Sequence, residues 1–190
     1  VEFVCRSGDL AASFSGARRA VEAIRAHQKI QKSRPPTYRP EVTISLQHET
    51  DTFLLSLSGR IDGVFSETDA GGSTRTVIDE IKTTDRDLDQ LAAAHHPLHW
   101  GQVKCYAYMY AVMQDLEEID TQLTYYHFDS GETREVRDSF GIDELSAFFG
   151  DLIERYLGWA TILIDWQQRR DASIRSLAFP FAGYRPGQRQ

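Results

Sequence analysis

Residues 59–83 read GRIDGVFSETDAGGSTRTVIDEIKT, two short β-like runs joined by a polar loop that contains adjacent glycines. Asp62 lies near the start of the first run and Glu80 near the end of the second, with Lys82 two places further on. Alternate side chains of a strand share a face, so Glu80 and Lys82 should point one way while Ile81 points into the core. If the two runs pair, Asp62 comes close to Glu80.

Two carboxylates held that close repel each other, and a divalent cation is the usual reason for keeping both ionised. A neighbouring lysine adds a positive charge, which suits activation of water and stabilisation of a charged phosphoryl transition state. The stretch therefore indicates a candidate metal site. Two simpler interpretations stay open: Asp62 as a turn residue before Gly63, and Glu80 with Lys82 as a surface pair on an edge strand.

The composition indicates a folded domain with a substantial core, since 41% of the 190 residues are hydrophobic and 11% aromatic. We see no apolar run approaching the roughly 20 residues that cross a bilayer, and no signal peptide. We therefore expect an intracellular, cytoplasmic protein without membrane contact. Cys5 and Cys105 lack a CxxC spacing, which argues against a zinc ribbon or a disulfide framework. Because the chain starts at Val1 instead of Met and ends abruptly at Gln190, we expect a fragment of a longer protein.

The net charge of -7 is unevenly distributed. Residues 1–40 hold eight Lys or Arg against three acids, and the remaining residues hold thirteen against twenty-five. We expect two positive patches, with solvated helix faces as the alternative interpretation. The first comprises Arg18, Arg19, Arg25, Lys29, Lys32, Arg34 and Arg39, and the second Arg169, Arg170, Arg175, Arg185 and Arg189.

Hydrophobic periodicity and turn residues predict alternating groups of helices and strands. The predicted helices are 17–31 (with Ala17, Val21, Ile24 and Gln28 on its apolar side), 85–94 (capped by Asp85), 98–118 and 142–170. The predicted strands are 42–49, 52–59, 60–65, 75–83, 121–129 and 133–140, with turns at 49–52 and around Gly59. His95, His96 and His99 flank Pro97 and are interpreted as a loop and helix start. The pattern favours an α/β or α+β fold with a mixed central sheet flanked by helices.

Further motifs surround the two acids. His27 lies in the first helix, and Gln102 and Tyr106 lie one turn apart on the long helix. With G-x-x-D at Gly59–Asp62 and E-x-K at Glu80–Lys82, the chain resembles the RecB-like branch of the PD-(D/E)xK nuclease superfamily. The match runs from His27 to Tyr106, in the order that the family shows.

The resemblance implies a restriction-endonuclease-like core with a divalent metal, Mn²⁺ or Mg²⁺. It implies metal ligation by His27, Asp62, Glu80 and the backbone carbonyl of Ile81. Lys82 would orient and help deprotonate the attacking water or stabilise the phosphate. Gln102 and Tyr106, grouped with the catalytic residues, would hold the nucleic-acid backbone or the lysine.

The resemblance also bears on which metals to expect. An imidazole ligand favours softer ions, so we expect more activity with Mn²⁺ than with Mg²⁺. Some relatives carry four cysteines for an iron–sulfur cluster, and because this chain has two we expect no cluster in it.

The tail FPFAGYRPGQRQ resembles the segment before the first ATP-binding motif of DinG-like and XPD-like superfamily 2 helicases. Gln188 would then read adenine, with Tyr184 and Arg185 nearby. The resemblance implies a nuclease domain at 1–175, and a linker with the start of a helicase Q-motif-like segment at 176–190. The partner would be a covalently linked DNA helicase motor.

We therefore expect a metal-dependent deoxyribonuclease, associated with a helicase in repair or recombination and acting on single-stranded or flapped DNA. A rival hypothesis is a non-catalytic module that binds and guides DNA for the motor. An RNA-directed or structure-specific endonuclease also stays open, because metal-site residues do not read the 2′-hydroxyl.

Overall fold

The computed structural model describes residues 1–5, 17–178 and 183. The described chain divides into two compact units, Val1–Leu152 and Ile153–Gln190. Its helices are α1 Glu2–Cys5, α2 Ala17–Ser33, α3 Leu88–Ala93, α4 Pro97–Gln114 and α5 Ile142–Ser176. Its strands are β1 Arg39–Glu49, β2 Leu54–Thr68, β3 Thr74–Thr84, β4 Glu118–His127 and β5 Thr133–Gly141.

The five strands form one mixed sheet in the order β1-β2-β3-β4-β5. Neighbouring strands run antiparallel, except that β3 and β4 are parallel and are joined by a crossover through α3 and α4. The predicted α+β class, a mixed sheet flanked by helices, is confirmed. Strand β3 occupies the centre, where Val77, Ile78 and Ile81 are fully buried, as its apolar run predicts.

Helix α2 forms where the sequence predicts it, but it buries a different side. Ala26 and Ile30 are buried, whereas Val21 and Ile24, on the predicted apolar side, are exposed. Positions 26 and 30 lie one turn apart on a single face. That face also carries the half-buried side chains of His27 and Gln31, so the sheet-facing side of α2 is partly polar.

The predicted turn around Gly59 is wrong, because β2 runs through it without interruption from Leu54 to Thr68. Gly59 is needed for space instead. A Cβ atom there would lie 2.6 Å from Cε1 of the Tyr106 ring, which packs from α4. The turn predicted at 49–52 is confirmed, since the Thr50 N–H donates to the Phe53 carbonyl at 2.8 Å.

The helix after β3 is shorter than predicted, and its cap is Asp87, not Asp85. The Asp87 side chain accepts a hydrogen bond from the Gln90 N–H, which satisfies one free donor of the first turn. Helix α4 starts at Pro97, preceded by His95 and His96, so the predicted loop and helix start is confirmed. It ends at Gln114, before Asp115 in a left-handed conformation (φ 54°).

The second unit continues α5 from Ile153. Arg169 pairs with Asp165 at 2.9 Å and Arg170 pairs with Asp171 at 2.7 Å, so two of the five arginines of the expected second patch have acidic partners. Large apolar side chains of this unit are exposed: Trp159, Ile162, Leu163, Ile164, Trp166, Ile174 and Leu177.

Several expectations concern residues beyond the described ones. Tyr184, Arg185 and Gln188, together with Arg189, lie outside the described residues, and so does the side chain of Arg18. The proposed boundary between 175 and 176 stays a prediction. Across the residues that the structure does describe, no helix is both long enough and apolar enough to span a bilayer.

Gly63→Ala tests the packing beneath the sheet. A Cβ at Gly63 would lie 1.9 Å from Cζ and the hydroxyl of Tyr38, which is buried against Phe65 and Val77. We expect the variant to lose about 1–3 kcal/mol of unfolding free energy in urea titrations followed by circular dichroism. Gly150→Ala is the matched control, because a Cβ there meets nothing within 4 Å and α5 should gain about 0.5–1 kcal/mol. Equal stability of the two variants would contradict this packing.

Candidate functional site

Strands β2 and β3 separate at Asp62 and Glu80, the first residues beyond their shared ladder, and this point is called the fork. The ladder between β2 and β3 ends at the pair Gly63–Asp79. On the other side of β2, the ladder with β1 includes Gly63, paired with Pro40, and Ile61, paired with Val42, but it omits Asp62 between them. Within the described strands, Asp62 therefore lacks a ladder partner on either side, while β3 continues beyond Asp79 paired with β4.

Three contacts outside the ladders hold Asp62 in place. Its Oδ2 accepts a hydrogen bond from the Ile81 N–H at 2.8 Å, which ties the carboxylate to β3 across the fork. Its Oδ1 lies 3.3 Å from Nδ1 of His27 on α2. Its backbone carbonyl accepts from Nε2 of Gln31, one turn further along the same helix, at 3.0 Å. The position of this acid therefore depends on α2 and β3 together.

Glu80 is almost fully buried at the fork. Lys82 Nζ donates to its Oε1 at 2.7 Å, as expected for two side chains on one face of a strand. The second oxygen, Oε2, is buried and has no hydrogen-bond partner among the described residues. Burial raises the pKa of Glu80 to about 7, against the opposing effect of the Lys82 ammonium, while Asp62 adds to the rise. A buried carboxylate oxygen without a partner is costly and requires an explanation.

Helix α4 completes the cluster from the other side of the fork. Gln102 Oε1 accepts a hydrogen bond from Lys82 Nζ at 2.8 Å, and Gln102 Nε2 donates to the Tyr106 hydroxyl at 3.5 Å. The ring of Tyr106 occupies the space that Gly59 leaves open on β2. The structure therefore links the E-x-K lysine to both predicted residues of α4.

His27 is half-buried, with 27% of its side chain exposed. The hydrogen bond with Asp62 raises its pKa, although burial opposes this. In the neutral ring, an Nδ1–H donated to Asp62 leaves the lone pair of Nε2 available for another ligand. The structure connects Ile81 to the site through its N–H, which donates to Asp62. Metal ligation by the Ile81 carbonyl stays a prediction.

The side chains at the fork are of types that bind divalent cations, but they are not arranged around a common point as metal ligands are. No three His, Cys, Asp or Glu side chains of the described residues are gathered in a way that could hold a metal ion. As placed, His27 contacts Asp62, and Lys82 contacts Glu80, so each acid already has a partner within the protein. Two carboxylates and an imidazole are nevertheless ligand types that Mn²⁺ or Mg²⁺ uses, and one carboxylate oxygen, Glu80 Oε2, has no hydrogen-bond partner among the described residues.

The opposite face of β3 carries a buried polar network that sequence reasoning missed. Asp79 is fully buried, and its carboxylate accepts from Arg34 at 3.0 and 3.1 Å and from the Tyr38 hydroxyl at 3.2 Å. Thr124 and Gln122 on β4 donate to its other oxygen at 2.6 and 3.1 Å. Burial raises the pKa of Asp79, and Arg34 is the leading opposing influence. Asp79 therefore faces away from Glu80, as the alternation of neighbouring side chains in a strand requires.

The expected first positive patch is therefore broken up. Arg34 turns inward to Asp79 and also bonds Glu135, and Arg39 donates to the Tyr110 hydroxyl. The sequence feature that could have indicated the inward direction of Arg34 is Asp79, because an acid inside an apolar strand needs a cationic partner.

Other basic residues of α2 line a small groove of about 290 Å³ beside the end of β4. There Arg19 lies over the Phe128 ring and pairs with Asp85 at 2.8 Å, and Lys29 lies over the Tyr126 ring. The acids in and beside this groove offset much of its positive charge.

The histidines near the start of α4 pack together beside the cluster. The rings of His96 and His99 stack with centroids 4.1 Å apart, and His99 Nδ1 lies 3.1 Å from the Tyr125 hydroxyl. Burial, aided by repulsion from His96 and Lys82, lowers the pKa of His99 to about 3. His99 is therefore a neutral, half-buried hydrogen-bonding group at physiological pH.

Comparison with known proteins adds little. No protein-family model matches the chain, and no curated protein matches it. Among solved structures, the chain is similar to the crystal structure of SSO0001, with a TM-score of 0.47 and 16% identity. The similarity covers 73% of this chain and 61% of SSO0001. A likeness at this level supports no conclusion about function.

The neutral His99 predicts a loss of stability in acid. Its pKa in the folded chain is about 3 and its ordinary value is 6.5, so the unfolded chain binds this proton first as the pH falls. This contribution is complete above pH 6.5 and should decline below it, by up to about 1.4 kcal/mol per pH unit. His99→Gln keeps a polar partner for Tyr125 but cannot titrate. Urea titrations at pH 7 and pH 5 should show a smaller difference for the variant, and equal differences would contradict the assignment.

Proposed function

We propose that this chain is a metal-dependent nuclease domain that hydrolyses phosphodiester bonds in DNA. The observation that supports it most is Glu80 Oε2, a buried carboxylate oxygen beside Lys82 and across the fork from Asp62, for which the described part of the chain provides no hydrogen-bond partner. A buried carboxyl oxygen that lacks a hydrogen bond and lies near a second acid is suited to binding a cation.

The proposed ion is Mn²⁺ or Mg²⁺, held by Asp62, Glu80, His27 and the carbonyl of Ile81. When bound, such an ion supplies Lewis-acid activation of water and neutralises charge on the phosphate. Binding would also relieve the unfavourable burial that raises the pKa of Glu80. Because a ligating imidazole and carboxylate must be deprotonated, the metal affinity should increase with pH.

Lys82 supplies the positive charge that acts directly on substrate. Its ammonium has three N–H donors, and the contacts to Glu80 and Gln102 use two of them. The third is available to a phosphate oxygen or to the attacking water. Gln102 fixes the direction of the lysine, and Tyr106 supports Gln102 from the next turn of α4. The proposed reaction is in-line attack of water on phosphorus, without a covalent enzyme intermediate.

The finer parts of the proposal rest on the sequence resemblances. Single-stranded or flapped DNA is the favoured substrate because the tail likeness connects the domain to a helicase motor. In this proposal the protein works in repair or recombination inside the cell, in the cytoplasm and associated with the nucleoid. The groove between α2 and β4 contains the aromatic rings of Tyr126 and Phe128, and aromatic rings are groups on which the bases of single-stranded DNA can stack.

A second candidate function is a non-catalytic module that guides DNA to the motor. One observation favours it: His27 and Lys82 already contact the two acids, and the described residues show no gathered metal-binding group. The two functions differ in whether the chain cleaves DNA when Mn²⁺ is supplied.

Substitution of the cluster tests the proposed nuclease. Asp62→Ala, Glu80→Ala and Lys82→Ala each remove a group that would hold the metal or stabilise the transition state. We expect each variant to lose cleavage of labelled single-stranded and flapped DNA in Mn²⁺ by about a hundredfold or more. Circular dichroism should show that the fold is retained.

Asp51→Ala and Glu49→Ala are the matched controls, since both acids are exposed around the β1–β2 turn away from the fork. They should cleave at the wild-type rate. Wild-type cleavage by any of the three cluster variants would refute the assignment. Mn²⁺ binding by the unmodified chain without cleavage of any DNA form would favour the guiding module.

A further inference from the structure

We infer that Gln31 and Glu41 are positioning residues that hold Asp62 at the fork of the sheet. The inference deepens the proposed function and rests on it for the role of Asp62. Neither residue belongs to the motifs that suggest a nuclease. Gln31 is identified by its hydrogen bond to Asp62, which both ladders of β2 omit among the described strands, and Glu41 by its contact with Gln31.

Gln31 replaces the missing ladder bond of Asp62. Its side-chain amide carries two N–H groups. Nε2 donates to the backbone carbonyl of Asp62 at 3.0 Å and to Oε1 of Glu41 at 3.0 Å. Both donors are therefore used, and the amide joins α2, β1 and β2 at a single point.

Glu41 is the residue that opens the ladder. It would lie opposite Asp62 in the β1–β2 register, between the pairs Pro40–Gly63 and Val42–Ile61. Its φ of 57° is left-handed, a conformation that costs a residue with a Cβ about 1–2 kcal/mol. Pro40, just before it, has no N–H to donate. Strain of this kind persists where surrounding contacts over-determine it and is found at functional sites.

Two contacts hold Glu41 in that conformation. Oε1 accepts from Gln31, and Oε2 pairs with Arg60 Nε at 2.6 Å. The carboxylate thus aligns the Gln31 amide with the Asp62 carbonyl. Because His27 and Gln31 lie one turn apart on α2, the helix contacts the side chain and the backbone of Asp62 together. Removing the Gln31 donors should leave Asp62 free to shift relative to β3.

The test uses Gln31→Met, which keeps the length of the side chain and removes both donors. The first readout needs no metal: the Ile81 N–H donates to Asp62 Oδ2, so its hydrogen exchange reports where Asp62 lies. We expect this amide to exchange about tenfold faster in the variant, with the amides of Val77 and Ile78 unchanged. The second readout is Mn²⁺ binding by calorimetry, which should weaken about 10–100-fold, as for other residues that orient a metal ligand.

Gln28→Met is the matched control, because Gln28 is exposed on the same helix. It should change neither readout. If Gln31→Met unfolds, Glu41→Gly provides the same test, since glycine adopts the left-handed conformation without strain and only the anchoring carboxylate is lost. It should also speed exchange at Ile81.

Unchanged exchange at Ile81 in a folded Gln31→Met or Glu41→Gly variant would overturn the inference while leaving the proposed nuclease intact. Failure of the unmodified chain to bind Mn²⁺ would instead count against the proposed function. Faster exchange at Ile81 would still support the positioning of Asp62 in that case. Failure of the inference and failure of the proposed function can therefore be told apart by which measurement gives the negative result.

Discussion

The loss of ladder pairing at Asp62 is the constraint on which the rest of the site depends. A strand residue inside a sheet normally has its backbone groups satisfied by its neighbours. Here β2 pairs with β3 only from Gly63 to Thr68, and the β1 ladder omits Asp62 as well. The gap admits three groups from two other elements: the Ile81 N–H from β3, and the His27 and Gln31 side chains from α2. An acid held this way is fixed by specific contacts and stays partly open to ligands.

The two faces of β3 complement each other across that gap. On one face, Glu80 and Lys82 meet Gln102 from α4. On the other, Asp79 binds Arg34 just beyond the end of α2, which secures the helix that supplies His27. Buried ion pairs of this kind contribute little net stability but strongly penalise misplacement, because each leaves an unpaired charge if broken. The Asp79–Arg34 pair therefore specifies where α2 lies more than how stable the domain is.

Strand alternation and helical spacing predicted much of this arrangement from sequence. The apolar run around Val77 and Ile78 predicted a buried strand, and the two-residue spacing placed Glu80 and Lys82 on one face. Features that depend on the third dimension could not be predicted. Glycine is a common turn residue, yet Gly59 lies within β2, where its lack of a side chain leaves space for the Tyr106 ring. The inward direction of Arg34 and the left-handed backbone of Glu41 follow from contacts between elements that are far apart in the sequence. The side of α2 facing the sheet was predicted wrongly because it carries polar residues that bind Asp62.

The central claim is that the fork between Asp62 and Glu80 receives a divalent cation. Diffraction from crystals soaked in MnCl₂, with data collected at the manganese absorption edge, tests it most directly. The account predicts an anomalous peak within ligand distance of His27, Asp62 and Glu80, and the same crystals should lose the peak in Glu80→Ala. Anomalous density elsewhere on the protein, or none at full soaking concentration with the fork well ordered, would contradict the claim.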